Sequence, residues 1–413
     1  MIDRPVAGPT KGVVHVNHRR RSQGGQALVV MTIAILAMIG GLGLIIDGGN
    51  AWAQQRFTQG GNDSAAEAGA VVLASMYSGQ TAPVTGWDGA AAAAVANSAS
   101  KNAVASTTSY YVDICGTYLR PDGTKAAGTA DAAVVGAGIL PTNNHTNPDC
   151  PGGIVGPVAG VQVNASKTFG TFVSRTIGMS QMTVSTNATA VTGLLQGCGS
   201  AAGATCFVLP VTAPVTVVTC DSNGNATGTG VAWPTNTRTI VPLCKNNPGN
   251  VGWLDWTPPA GGTSELINSI LQPNNPAMTM PSWQYVTATG NVNSAGVEDA
   301  LNTYAGRIVL FPNFDLTCAA DPDRSQVGVA PSYGCSDIGG NGSNQWYRIP
   351  QLAAFELERA YVNGNNRGVC DTGNGATSCL VGKFVNFVTT GTVGPGIGGG
   401  TTDGAVLGVQ LIK

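Results

Sequence analysis

Ten cysteines are the residues whose type and spacing most clearly indicate a chemistry in this chain. All of them follow the apolar segment that ends at Ile46, and none lies before or within that segment. An even number of cysteines on one side of a membrane segment is typical of disulfide bonds formed in an oxidising compartment. The disulfide candidates are Cys115, Cys150, Cys198, Cys206, Cys220, Cys244, Cys318, Cys335, Cys370 and Cys379.

Spacing alone does not determine which cysteines pair. Short loops close at the lowest entropic cost, so each cysteine is expected to pair with its neighbour in the sequence. The expected pairs are 115–150, 198–206, 220–244, 318–335 and 370–379. A zinc site is the alternative, but the chain has no Cys-x-x-Cys pair, and His145 is the only histidine after the apolar segment. We therefore expect disulfides and no metal site.

No sequence pattern indicates catalytic residues. The chain lacks the G-x-S-x-G nucleophile motif, the H-E-x-x-H zinc helix and the phosphate-binding loop. A Ser-His-Asp triad would depend on His145, which lies in a polar loop and is expected to be solvated. Glu356 and Glu358 share one face of a predicted strand, and a solvated face is favoured over an acid–base pair. We expect no enzyme activity and no cofactor.

Two further patterns suggest binding chemistry. Residues 221–225 and the acidic loop 315–323 resemble parts of calcium loops, but an ordinary β-turn is favoured because the first lacks the required Gly and Glu. Trp253 and Trp256 alternate with turn residues, and exposed tryptophans could bind sugar or a protein partner. Packing in the core of a β-domain is the favoured interpretation of both tryptophans.

The net charge of −2 conceals an asymmetry along the chain. Residues 1–24 carry five basic side chains and one acidic side chain, a charge of +4, whereas the rest of the chain has a charge of −6. A nucleic-acid-binding surface needs clustered Lys and Arg to neutralise phosphates. The charge distribution excludes such a surface outside the tail, so nucleic acid is not an expected partner.

An uncharged apolar segment of twenty residues, 27–46, follows the basic tail. At about 1.5 Å per residue, a helix of this length spans about 30 Å, the thickness of the hydrocarbon core of a bilayer. Arginines at 19–21 precede the segment, and Asp47 follows it directly. The positive-inside bias then places the N-terminus in the cytoplasm and residues 48–413 outside it. We predict a single-pass protein of the cell membrane.

A cleaved signal peptide is the alternative interpretation, because Ala51-Trp52-Ala53 imitates a cleavage site. The apolar run is longer than the roughly 7–15 residues of a signal-peptide core, and Asp47 separates it from that site, so a retained anchor is favoured. Within the anchor, Ala37 and Gly41 form a small-xxx-small pair that would let another helix approach closely. Self-association through the transmembrane helix is a further expectation, although small residues are common in such helices.

Residues 22–74 carry several short motifs in a fixed order. A basic residue precedes Gly-Gln-Ala-Leu at 25–28, Asp-Gly follows the apolar run, and Arg56 leads into the block Asp-Ser-Ala-Ala-Glu-Ala-Gly-Ala at 63–70. In this order and at these spacings, the motifs resemble the TadG-like N-terminal domain of the Flp pilus-assembly TadE/G-like family. The motif residues are Gly25, Gln26, Asp47, Gly48, Arg56, Gln59, Asp63, Ala65, Ala66 and Gly69.

The resemblance implies a membrane-anchored accessory or minor component of the tight-adherence pilus machinery. Its partners would be the lipid bilayer and other Tad/Flp pilus-machinery proteins. Gly-Gly-Asn at 60–62 departs from the alanine-rich pattern of the family, so we expect a kink or break in the juxtamembrane helix there. Val30 stands where pilins processed by prepilin peptidase carry glutamate, so polymerisation into the filament shaft is not implied.

The patterns predict an α+β fold after the transmembrane helix, ending in a β-rich, disulfide-bearing extracytoplasmic domain. The predicted segments are a tail at 1–24, a transmembrane helix at 25–46, a TadG-like α+β region at 47–195 and the β-rich domain at 196–413. Predicted helices lie at 50–77, 90–96 and 169–177, and predicted strands at 108–120, 160–164, 181–192, 307–311, 354–362 and 405–412.

Two functions follow as hypotheses. The preferred one is a structural or assembly component of a Flp/Tad-type surface pilus, held in the membrane and acting through protein contacts. The alternative is a membrane-tethered adhesin that binds carbohydrate or a host ligand through the β-rich C-terminal domain.

Overall fold

The computed structural model describes residues 24–104, 106–143, 145–147, 150, 154–155, 158–198, 208–221, 226–244, 253–254, 256, 262–273, 275, 278–286, 294–319, 335–336, 345–364, 366–370, 377–394 and 406–412. It is a mixed α+β structure with one N-terminal apolar helix and a β-rich, disulfide-bearing remainder. The chain divides into a first unit (1–54 and 168–183) and a second unit (55–167 and 184–413).

The helices in the described residues are α1 (Gly24–Tyr77), α2 (Gly86–Lys101), α3 (Thr263–Leu271), α4 (Ala295–Asn302) and α5 (Arg367–Cys370), with a 3-10 turn at Ser174–Ile177. The strands before residue 200 are β1 (Ser106–Val112), β2 (His145–Thr146), β3 (Ile154–Val155), β4 (Gly160–Gly170), β5 (Gln181–Leu195) and β6 (Gly197–Cys198). The later strands are β7 (Ala213–Pro214), β8 (Thr216–Cys220), β9 (Ala226–Ala232), β10 (Thr239–Leu243), β11 (Met278–Thr279), β12 (Ser282–Val286), β13 (Arg307–Phe314), β14 (Leu316–Ala319), β15 (Cys335–Ser336), β16 (Gln345–Ile349), β17 (Gln351–Tyr361), β18 (Ser378–Val385), β19 (Phe387–Thr390), β20 (Val393–Gly394) and β21 (Val406–Leu411).

Helix α1 joins the predicted span and the predicted juxtamembrane helix into one element of 54 residues. Its most apolar 18-residue window has a mean hydropathy of 2.7 and is 6% buried, so the helix is long and apolar enough to cross a membrane. Every residue from 27 to 42 is exposed. The helix also continues through residues 60–62, so the expected break there is wrong.

In the first unit, the hairpin between β4 and β5 ends in the 3-10 turn. The helix predicted for 169–177 is therefore wrong apart from its last turn, because Phe169 and Gly170 remain in β4. Gly178 ends the turn with φ at +92°, the left-handed conformation expected of a helix stop. The helix-like apolar periodicity at 169–177 arises because the end of β4 and the 3-10 turn follow one another closely in the sequence.

In the second unit, β1, β4, β5, β21 and β19 form one sheet, with β20 beside β5. The strand predicted for 108–120 ends early, because the Asp113 carboxylate accepts the N–H groups of Cys115 and Thr117 and turns the chain. The strands predicted at 160–164 and 181–192 are confirmed as β4 and β5, and each is longer than predicted. Strand β21 pairs with β5 from Ala190 to Leu194, so this sheet contains strands from both sides of the predicted boundary at residue 195.

Residues 60–77 of α1 and helix α2 pack on one face of this sheet. The core there consists of small helix residues, such as Ala70 and Ala74, against valines of β4. A second sheet, in the order β10-β18-β17-β13-β7, carries helices α3 and α4 and a larger aromatic core that includes Trp233, Phe311 and Phe384. The predicted strands at 307–311, 354–362 and 405–412 are confirmed within β13, β17 and β21.

Three disulfides lie among the described residues: Cys115–Cys150, Cys220–Cys244 and Cys370–Cys379. Each agrees with the expected pairing of sequence neighbours. Cys318 is also disulfide-bonded, and it lies opposite Cys335 in the antiparallel β14–β15 pair. The expected 198–206 pair is not described, because Cys206 and the side chain of Cys198 lie outside the described part of the chain.

Removal of the Cys220–Cys244 disulfide by double serine substitution is expected to lower the free energy of unfolding by about 3.5 kcal/mol, because the bond closes a 24-residue loop in the unfolded chain. The matched control, Cys370→Ser with Cys379→Ser, opens a 9-residue loop at equally buried cysteines. The control should cost about 0.9 kcal/mol less. Thermal unfolding of the full chain in detergent, monitored by near-ultraviolet circular dichroism, measures the loss of stability in each double variant. A larger loss for the Cys370–Cys379 variant than for the Cys220–Cys244 variant would contradict the loop-length argument.

Candidate assembly site on the long helix

The motif residues in the second half of α1 lie where the helix packs most closely on the sheet. Ala65 and Ala66 are fully buried. Gly69 is also buried, and a Cβ atom added there would lie 3.0 Å from methyl carbons of Val161 and Val95. The small side chains therefore let the helix backbone approach β4 and α2 within van der Waals distance.

Polar residues one turn earlier tie the same helix to β5. The Gln59 amide donates to the Asp63 carboxylate at 2.7 Å and to the main-chain oxygen of Asn187 at 3.0 Å. The Asn62 amide donates to the Thr186 main-chain oxygen at 2.9 Å and to its hydroxyl at 3.0 Å. These amides fix the register of α1 on the sheet edge, where β21 no longer covers β5.

Gly61 shows why the Gly-Gly-Asn departure does not break the helix. A Cβ atom at Gly61 would overlap Cγ2 of Val104 and lie 3.1 Å from Cβ of Asn102, both in the segment that follows α2. Gly60, its neighbour, is exposed, and its Cβ position has nothing within 4 Å. Residues 61 and 62 are thus packing and anchoring positions, and sequence reasoning missed both by treating them only as poor helix formers.

Asp47 forms a second attachment, within the first unit. Its Oδ1 accepts the Phe172 N–H at 2.6 Å, and its Oδ2 accepts the N–H groups of Val173 at 3.1 Å and Ser174 at 2.6 Å. The carboxyl is 2% exposed. Hydrogen bonds from the Ser174 side chain, and then from the three main-chain N–H groups, hold the pKa of Asp47 below its usual range despite that burial.

Other motif residues lie at exposed positions or have side chains outside the described part of the chain. Gly48 is exposed, with open space around its Cβ position, and Arg56 is exposed on α1. Gly25 and Gln26 lie in α1, but their side chains fall outside the described residues. Ala37 and Gly41 are exposed, so the small-residue face expected to mediate self-association is uncovered within this chain. Self-association itself stays a prediction.

Asp88 is a structural carboxylate that sequence reasoning did not identify. It accepts the Tyr111 hydroxyl at 2.6 Å and the N–H groups of Gly136 at 2.8 Å and Gly138 at 2.7 Å. An acid in the first turn of the alanine-rich helix α2 was the available signal, because helix N-termini favour negative charge. The helix predicted for 90–96 began too late to include it.

The other candidate chemistries resolve into structural roles. Glu356 pairs with Lys383 at 3.1 Å, and Glu358, which lies in the bulge between Leu357 and Arg359 of β17, pairs with Arg238 at 2.7 Å. Trp253 and Trp256 are 2% and 6% exposed, as core packing predicts, so they offer no platform for a sugar. Groups of three or more residues able to hold a metal are absent from the described residues.

The remaining calcium and histidine candidates are only partly described. Asp315 pairs with Arg348, whose Nε lies 2.8 Å from Oδ1. Residues 222–225 and 320–323, and the side chain of His145, lie outside the described residues, whereas the main chain of His145 pairs with Val155 in the β2–β3 ladder.

A polar cleft of about 600 Å³ lies in the second unit beside the start of the helix–sheet packing. Its walls are uncharged and, apart from Ala165, consist of residues with amide or hydroxyl side chains. Five of the lining residues are Gln55, Gln59, Tyr118, Gln162 and Asn164. Such a surface suits a neutral, hydrogen-bonding ligand rather than an anion or a cation.

Alanine substitutions at the two adjacent glycines of α1 should have opposite effects. Gly60→Ala is expected to raise the free energy of unfolding by about 0.5–1 kcal/mol, because it adds helix propensity in open space. Gly61→Ala is expected to lower it, because about 1–3 kcal/mol of overpacking against Val104 outweighs that gain. Thermal unfolding of both variants tests this, and equal shifts of the same sign would contradict the packing described for α1.

Substitution of Asp47 should loosen the hairpin turn that its carboxylate holds. Asp47→Asn keeps one acceptor oxygen but replaces the second with an NH2 group, which cannot accept from the main-chain N–H groups of the turn. Hydrogen exchange at residues 172–174 should therefore accelerate on the order of tenfold. Asp122→Asn is the matched control, because that carboxylate accepts hydrogen bonds from Thr124 in a separate turn.

The same substitution predicts a pH dependence. A carboxyl whose pKa is lowered in the folded state contributes stability above its unfolded pKa of about 3.9, and loses it as the pH falls through the folded value. Residues 172–174 should therefore be better protected from hydrogen exchange in the native chain than in Asp47→Asn near neutral pH. This difference should disappear in acid. A difference that persists unchanged into strong acid would show that the charge of Asp47 is not involved.

Comparison of the chain with protein-family models, with curated proteins and with solved structures finds no match.

Proposed function

We propose that this protein is a membrane-anchored structural or assembly component of a Flp/Tad-type surface pilus that acts through protein–protein contacts. The observation that carries the proposal is the continuity of α1, which runs from the apolar segment into the motif block that packs on the sheet. The buried motif residues and the tied amides give that helix a defined attachment. A helix shared by a membrane anchor and a folded domain suits a scaffold.

Retention of the anchor is supported by the position of Asp47. Cleavage after Ala53 would cut α1 and remove the carboxylate that accepts three N–H groups of the hairpin turn. Those donors would lose their acceptor. The disulfides support an oxidising, extracytoplasmic compartment for residues 48–413.

Phe57 supports a partner on the helix. It is an aromatic residue 71% exposed, eleven residues past the end of the predicted span at Ile46. Exposed aromatic side chains are enriched among residues that dominate protein interfaces. Other Tad/Flp pilus-machinery proteins are the proposed partners at this position.

The test uses the full-length, C-terminally tagged chain in its native host. The chain should remain in the carbonate-washed membrane fraction at its full length and co-purify with pilus-machinery subunits after cross-linking. Phe57→Ala should lower that capture on the order of tenfold without changing thermal stability. Leu271→Ala, at an exposed position of α3, is the matched control. A soluble, shortened chain, or capture of no pilus subunit, would overturn the proposal.

The adhesin hypothesis keeps one supporting observation, the neutral polar cleft. The buried tryptophans of the C-terminal half no longer support it, so a carbohydrate would bind beside Tyr118 and Asn164 instead. Glycan binding by the full chain that Asn164→Ala abolishes would favour the adhesin over the pilus component.

A further inference from the structure

The turn that joins β4 to β5 lies against the C-terminal end of the apolar segment, within the first unit. Val173 packs on Gly43, and a Cβ atom at Gly43 would lie 2.9 Å from Cγ1 of that valine. Gly43 is buried, in contrast to residues 27–42 before it. Only glycine leaves room for the turn at this point of α1.

This contact sets the depth of the turn in a membrane. Gly43 lies three residues inside the predicted span, which corresponds to about 4.5 Å along the helix axis. A bilayer that covers residues 27–46 therefore reaches the level of Val173. Asp47 lies just past that boundary, and the turn supplies N–H donors to its carboxylate, which lowers the cost of holding a charge beside hydrocarbon.

The outer side of the turn has the composition of a surface that contacts lipid. Phe172 is 69% exposed and Met179 is 53% exposed. Residues 168–183 contain no acid, and Arg175 is their only charged residue. Apolar and aromatic side chains beside a basic one are favoured at the membrane interface, where the cation meets lipid phosphates.

We propose that this turn, residues 171–180, is a second membrane contact that inserts Phe172 and Met179 into the interfacial layer of the leaflet at the C-terminal end of α1. The lipid bilayer is its partner, and Arg175 binds the anionic headgroups. The protein then contacts the membrane through both the helix and the turn, and hydrogen bonds to the Asp47 carboxylate link these two elements. This inference rests on the span predicted for residues 25–46 and is independent of the pilus role.

The test places an NBD fluorophore on single added cysteines in the full-length oxidised chain, reconstituted in nanodiscs of phosphatidylcholine and phosphatidylglycerol. Phe172→Cys and Met179→Cys report on the turn, and Leu36→Cys reports on the span. Val231→Cys is the matched aqueous control, because Val231 is 63% exposed on β9. Lipids with nitroxides on their acyl chains quench fluorophores in the membrane, and iodide quenches those in water.

Labels at 172 and 179 are expected to lose most of their emission to nitroxide lipids and to resist iodide, as the label at 36 does, whereas the label at 231 should behave in the opposite way. Quenching at 36 by lipid, with 172 and 179 quenched only by iodide, would overturn the membrane contact of the turn alone. Iodide quenching at 36 would overturn the span and the proposal together. Loss of the phosphatidylglycerol dependence of lipid quenching in Arg175→Gln would further support the headgroup contact.

Discussion

The structure depends on the absence of side-chain volume along one face of α1. Alanines at 65, 66 and 70 are fully buried, and glycine at 61 and 69 lets Val104 and Val161 come closer than a methyl group would allow. Larger residues would push the helix away from β4 and break the hydrogen bonds of Gln59 and Asn62 to β5. The packing of residues 59–70 of α1 on the sheet is thus determined by steric fit and reinforced by a few directional hydrogen bonds.

Carboxylates and amides have a consistent role in this fold: they satisfy main-chain groups that secondary structure leaves unpaired. Asp47, Asp88 and Asp113 each accept two or more N–H groups from a turn. Buried N–H groups without acceptors are costly, so these side chains let a loop-rich chain keep irregular segments against a core. Only 10% of the residues are charged, and these three carboxylates all stabilise turns.

The sequence predicted the elements with strong, local signals. The apolar segment, the alternation in β5 and the turn glycine at 178 each reflect physical preferences that a short window contains. Sequence neighbours among the cysteines also paired as loop entropy suggests. Two of the misses share one cause: residues 169–177 and 60–62 were interpreted from local periodicity and propensity, whereas long-range contacts decide their structure. A short sequence window around Gly61 does not indicate its contact with Val104, which lies more than forty positions away.

The candidate site was predictable to a lesser degree. The resemblance singled out Asp47, Gln59 and Gly69, and the structure gives each of them a contact, but their partners at 172–174, 187 and 161 lie far along the chain. Nothing in the spacing of the motif indicates those partners. The burial of Trp253 and Trp256 agreed with the favoured interpretation, since aromatic residues among turns more often fill a β core than line its surface.

The pairing of β21 with β5 has a consequence for the order of biogenesis. More than two hundred residues separate these neighbours in one sheet, so the edge of β5 that pairs with β21 stays uncovered until the intervening chain has been synthesised. During that interval the incompletely folded chain presents an open strand edge, which is prone to mispairing with other chains. Completion of this sheet is therefore a late folding event that ends when β21 pairs with β5.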